Sequence, residues 1–331
     1  MKLPSIGAAR FVRLLSASLL LLTFPPLVSA QEFTGLTGDY LGQTPPGDSP
    51  VVFAPGIVST IYMEHSAPTF SPDGNEVFWR VAKGFVSAPG ANTGPKTMRR
   101  IGDRWTVPMD SPYGGSPFFS PDGKRLYFSN LLPNNELDGP YFVEREGNAW
   151  SEPRSVGLVK RFPRLKAIHN PTITRDGTLY FASDTAGLGM IKDHVIFRTR
   201  LVAGEHADPE RLPPCINLPL SWNYSPFIAP DESYLLFSSN RPGGLDEHGD
   251  LYVSFHDVDE DTWSEPVTLG EPINTHGQDS SPGVSPDGKY LFYTGPNADR
   301  QADVFWVSAG IIQRLRGERH SRCEGRQLTR E

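Results

Sequence analysis

Short, continuously apolar runs alternate along the chain with clusters of Pro, Asp, Gly and Ser, and one arrangement of run, turn and run returns five times. The turns are Pro72-Asp73-Gly74, Pro121-Asp122-Gly123, Arg175-Asp176-Gly177, Pro230-Asp231-Glu232 and Pro286-Asp287-Gly288, with successive aspartates 49, 54, 55 and 56 residues apart. Before them stand Ala67 to Phe70, Ser116 to Phe119, Pro171 to Ile173, Ser225 to Ile228 and Ser281 to Val284; after them come Val77-Phe78-Trp79, Leu126-Tyr127-Phe128, Leu179-Tyr180-Phe181, Leu235-Leu236-Phe237 and Leu291-Phe292-Tyr293. Apolar and aromatic runs between turn formers predict strands. Their continuity, without polar alternation, predicts strands buried on both faces.

Within each turn Pro presets φ, Asp bonds the neighbouring backbone and Gly supplies the left-handed residue. The fourth copy carries Glu232 in the Gly position, which predicts a looser turn or one of another type, because a Cβ disfavours positive φ. A third run follows in most repeats, as Asp250-Leu251-Tyr252-Val253-Ser254, Asp303-Val304-Phe305-Trp306-Val307, Tyr141-Phe142-Val143 and Val195-Ile196-Phe197. A fourth strand is signalled by Trp105-Thr106-Val107-Pro108, Trp150-Ser151-Glu152-Pro153 and Trp263-Ser264-Glu265-Pro266. Four short antiparallel strands per repeat of about 50 residues predict an all-β fold, a single β-propeller of five blades, with six as the alternative count.

Closure is predicted from the N-terminal side. The segment Pro50 to Thr60 resembles Pro266 to Thr275, which lies between the fourth and fifth turns, and no such segment follows the third strand of the last repeat. Residues about 50–55 are therefore expected to supply the outer strand of the last blade and remove an exposed sheet edge. The expected organisation is a signal peptide over 1–30, a lead segment over 31–49, the propeller over 50–316 and a disordered polar tail over 317–331.

Residues 1–30 carry Lys2, Arg10 and Arg13, the apolar run Leu14 to Phe24 and the small-residue site Val28-Ser29-Ala30, which predicts cleavage between Ala30 and Gln31 and a periplasmic or secreted product. The apolar run is shorter than a span needs, so no stable membrane span is expected after cleavage. Losing those three cations takes the formal charge from −7 to −10. So acidic a chain is a poor match for nucleic acid. Cys215 and Cys323 are the only cysteines; export makes their pairing chemically open, and the spacing leaves it undecided.

Combined with the repeat spacing, the Pro-Asp-Gly hairpins, the Leu/Tyr-Phe strands, Asp-Leu-Tyr-Val-Ser, Trp-Ser-Glu-Pro and Ile273-Asn274-Thr275 resemble the WD-like repeats of TolB-type β-propellers over roughly residues 50–310. The resemblance implies a bacterial exported binding or scaffolding protein, with a cell-envelope complex among its expected partners. This chain departs from TolB itself in having five repeats rather than six and no additional N-terminal domain between the cleavage site and the first strand.

In a propeller the loops entering the innermost strands converge on one channel mouth. Here they bring Glu64, His65, Tyr113, His169, Asn170, Asn223, Tyr224, Gln278 and Asp279, a polar, aromatic-edged set suited to a glycan or protein ligand. The same residues could equally hydrate the channel and cap strand ends. Neither a resident metal nor a cofactor is expected from the sequence, and the Asn240 to Asp250 loop lacks the ligand spacing of a calcium site. Non-catalytic binding is the expected function. The alternative is a carbohydrate-active enzyme, a glycoside hydrolase or lyase, using Glu64 and Asp279 as its carboxylates. A serine hydrolase is disfavoured, because no Gly-x-Ser-x-Gly elbow occurs.

Overall fold

The computed structural model describes residues 35–82, 93–129, 139–184, 194–245, 247–298, 302–318 and 320–323. They form five antiparallel blades. The three inner positions of each blade are Met63–Phe70, Glu76–Ala82 and Gly94–Ile101; Phe118–Phe119, Arg125–Phe128 and Tyr141–Glu146; Ile168–Ile173, Leu179–Asp184 and His194–Thr199; Asn223–Ile228, Tyr234–Ser239 and Asp250–Asp257; and Ser280–Val284, Tyr290–Pro296 and Ala302–Ser308. In the first, second and fourth blades two dipeptides share the outermost position, as in Arg104–Trp105 and Met109–Asp110. A proline lies between each such pair, at Pro108, Pro153 and Pro266, where a residue without an N–H interrupts the ladder. The third strand of the first blade escaped the sequence pattern because it is polar; its Lys96 is buried and pairs with Asp110.

The aromatic side chains Trp79, Phe128, Phe181, Phe237 and Tyr293 take the same place in the second strand of each blade, all at most 2% exposed. Strands such as Leu179–Asp184 are buried along their whole length. Continuous apolar runs are what stacked blades require.

The turns share one chemistry. Ser71, Ser120, Thr174 and Ser285 each donate a side-chain hydrogen bond to the turn aspartate, and Gly74, Gly123, Gly177 and Gly288 have φ between 69 and 92°. Contrary to the sequence expectation, the fourth turn is of the same kind: Glu232 takes φ 62°, and its amide bonds the Ala229 carbonyl as Gly74 bonds Ser71. Tyr180 donates to the Glu232 carboxylate at 2.5 Å and so anchors the left-handed residue from the neighbouring blade.

Closure follows the expected route. Val51–Val52 pairs antiparallel with the last third strand, Val51 opposite Trp306, and Phe53 packs edge-on against Phe292 and Trp306 at 5.0 and 5.1 Å. The lead segment also packs: Tyr40 lies 5.1 Å from both Phe70 and Tyr290, bridging the first and last blades. The expectation of a disordered tail from 317 needs correction. Residues 320–323 lie along the fourth blade, where Glu265 N–H bonds Ser321 O and Cys323 N–H bonds Trp263 O, both at 2.8 Å, and Cys323 is disulfide-bonded to Cys215. Edge pairing supplies the order that the polar composition of the tail conceals. The expected signal peptide, its cleavage site and residues 324–331 lie outside the described residues.

Candidate functional site

The innermost strands of four blades carry a break in register, and that of the first blade carries a second one between Glu64 and Ser66. The ladder slips between His169 and Thr172, Tyr224 and Phe227, Ser280 and Gly283, and Ser66 and Thr69. At these breaks Asn170, Ser225 and Ser281, and Ser116 at the equivalent place in the second blade, hold φ between 48 and 53°, each followed by proline. Bulges of this kind re-aim side chains, and left-handed non-Gly residues concentrate at functional sites. The prolines and bulge residues form a collar around a cavity of about 50 Å³. Phe118 and Phe227, from the non-adjacent second and fourth blades, meet across it edge-to-face at 5.9 Å. The pair narrows the channel below the entry loops.

Strand alternation splits the sequence-nominated residues into two rows. Glu64, Asn223 and Asp279 occupy one row, each at most 1% exposed. Glu64 Oε1 accepts from Thr60 N–H at 3.1 Å and Thr60 O–H at 2.9 Å; Asp279 Oδ2 accepts from the same two groups of Thr275 at 2.6 and 3.0 Å. The two carboxylates thus clamp the loops that enter their blades. Burial pushes Glu64 up to about 8, against the pull of the Thr60 hydrogen bonds, with Asp303 adding to the rise. Asn223 accepts from Ser239 and from Arg241, whose guanidinium also binds the Cys215 and Ile216 carbonyls.

His65, His169, Tyr224 and Ser280 form the second row, which keeps contact with solvent. Two of them, His169 and Tyr224, come together with His194. The Tyr224 ring lies 5.8 Å from His169 and 4.8 Å from His194, and the two imidazoles are 5.0 Å apart. Burial lowers His169 to about 4, aided by the adjacent His194 and by His65 and opposed by Asp184. His65 keeps exposed surface, yet the surrounding walls of the mouth lower its pKa, and the Arg80 charge lowers it further. Burial raises Tyr224 to about 12, with Arg80 opposing. His65 and Arg80 belong to the first blade, His169, Asp184 and His194 to the third and Tyr224 to the fourth. The first blade adjoins neither of the other two, so these groups face one another across the axis.

Arg80, Asp184 and His194 are additions that sequence reading missed. A signal existed for the first: Arg80 occupies the position held by Ser129, Ala182, Ser238 and Thr294 in the other blades, a charge where the repeat is otherwise small. Asp184 and His194 face each other across the second and third strands of their blade. The remaining nominees sit apart from this group. Tyr113 packs on Phe78 and Phe128, Asn170 donates to Ser116 in the collar at 2.9 Å, and Gln278 is exposed. Among the described residues, the one set of three metal-ligating types within coordinating reach is Cys215, Glu265 and Cys323, and its cysteines are consumed by the disulfide.

Fold and repeats together define a five-bladed β-propeller, similar in architecture to TolB structures. No protein-family model and no curated protein matches the sequence. A structure from Agrobacterium tumefaciens provisionally assigned as TolB aligns with 80% of this chain and 82% of its own, at 16% identity and TM-score 0.46. TolB from Acinetobacter baumannii aligns over 75% of this chain and 52% of its own, at 18% and 0.44, so the chain spans about half its length. A thermostable family-43 glycoside hydrolase aligns over 76% and 90%, at 15% and 0.47. These likenesses concern architecture alone. Among the described residues no helix is long and apolar enough to cross a membrane.

Proposed function

We propose that this chain is an exported, non-catalytic binding propeller that takes a glycan or protein ligand at the channel mouth. One observation carries the reading: the groups that meet across the axis and stay accessible are His65, Arg80, His169 and Tyr224, whereas the carboxylates an enzyme would use are sealed below them. A general acid or nucleophile must reach its substrate. Glu64 and Asp279 are instead occupied with Thr60 and Thr275. Export is supported by the basic-apolar leader over 1–30 and by the disulfide, a bond that persists in oxidising compartments.

The test is a glycan and peptide array followed by four variants on any hit. Tyr224→Ala and His169→Ala are expected to abolish binding, while Glu64→Gln and Asp279→Asn retain it with no turnover in any of them. Binding unchanged in the first pair would move the site off the mouth; turnover by the wild type that disappears in the second pair would establish the enzyme instead.

A further inference from the structure

Arg80 is the one residue at its repeat position with a charge, and its environment does not neutralise it. Among the described residues no carboxylate forms an ion pair with it, and its Nε is buried without a hydrogen-bond partner. Neutralising a partly buried guanidinium is the ordinary role of a carboxylate, and the fork of donors on Arg matches one in two-point geometry. It pairs with Ser66 next to His65, its charge reaches Tyr224, and the Tyr224 ring packs in turn on His169 and His194. Neutral imidazole offers one donor and one acceptor, and phenol offers both, which suits hydroxyl groups rather than a second charge.

Resting on the binding function proposed above, we infer that the mouth recognises a terminal acidic sugar, a uronate whose carboxylate seats on Arg80 and whose hydroxyls and ring face meet His169, His194 and Tyr224. Phe118 and Phe227 narrow the channel to a cavity of about 50 Å³, too small to pass a sugar ring, which favours one end of a chain. A peptide strand is a poorer occupant. Each inner strand presents its edge to the axis, but Pro68, Pro117, Pro171, Pro226 and Pro282 each remove a donor there and the bulges break the register, so strand addition has no ladder to join. A compact pyranose ring carrying many hydroxyls is accommodated without such a ladder.

The probes are trigalacturonate, trimannuronate, their methyl esters and a neutral trigalactoside, titrated calorimetrically against the wild type, Arg80→Gln, Arg80→Lys and Tyr224→Phe, with an acidic-tailed peptide as a separate arm. At least one uronate trimer is expected to bind about tenfold or more tightly than its methyl ester, and Arg80→Gln should erase that difference while leaving the ester unaffected. Arg80→Lys should recover part of it, since it restores charge without the fork. Thermal melts of all variants distinguish loss of a ligand contact from loss of fold; if Arg80→Gln unfolds, the acid-to-ester ratio in the wild type and in Tyr224→Phe still decides. Equal affinity for acid and ester overturns the inference but leaves mouth binding standing. So does binding of the peptide alone. Failure of every probe and of the whole array would overturn both.

Discussion

The two ends of the innermost strands obey opposite rules. At the exit end four of the five blades repeat the same Ser/Thr, Asp and Gly hydrogen bonds, and even the deviant Glu232 is bent into the common left-handed geometry. At the entry end the blades diverge: the solvent-reaching row reads His65, Gly115, His169, Tyr224 and Ser280, with only histidine recurring. A repeat architecture needs its blades alike wherever they stack. Where they differ, packing is not the constraint, and the differing side chains of three blades are the ones that converge. The place to look for function in such a fold is where repetition stops.

If that division is right, the repeated framework must be costly to disturb. Phe181 is fully buried at the shared aromatic position, stacked 5.8 Å from Phe197, and Phe181→Ala is expected to destabilise the protein by about 3–5 kcal/mol through lost packing and a residual cavity. Urea denaturation measures it, and a loss under about 1 kcal/mol would contradict the equivalence of the five aromatic positions.

Glu64 tests the boundary between framework and mouth. Its folded pKa of about 8 stands above its ordinary 4.5, so its neutral form stabilises the fold fully below pH 4.5, and that contribution is lost as pH rises through 8. The wild type should therefore lose stability from about pH 5 to 8.5, by a few kcal/mol at most. Glu64→Gln, which keeps an acceptor for Thr60 but cannot ionise, should flatten that limb. An alkaline limb of equal slope in both proteins would show that Glu64 is already charged and solvated.

Legibility in the sequence followed the same division. Blade number, the buried aromatic row and closure by Val51–Val52 were readable because repetition averages over local ambiguity. The mouth was half readable: His65, His169 and Tyr224 were nominated from their place before the inner strands, but position alone did not separate them from Glu64 and Asp279. Only the two-residue alternation through the bulge assigns those to a buried row. Asp184 and His194 were invisible because they lie on second and third strands and reach the axis sideways. The tail was misjudged for a related reason, since its order comes from pairing with Trp263 and Glu265 rather than from its own composition.

The smallest effect belongs to the mouth itself. His169 is half-buried and stabilises the fold through ring contacts alone, so His169→Gln at pH 7.5 should shift stability by no more than about 0.5 kcal/mol. The distinguishing signal is on the acid side. Its folded pKa of about 4 lies below the ordinary 6.5, so the unfolded chain takes up a proton first as pH falls, and the wild type loses stability between pH 6.5 and 4. Solvent screening of a half-buried ring limits that loss to roughly 1–2 kcal/mol. The variant, with no imidazole at this position, should lose correspondingly less. Paired urea melts at pH 7.5 and pH 4.5 read both quantities. A large loss at pH 7.5 would place His169 in the framework, and the comparison of the two strand ends would then fail at its central residue.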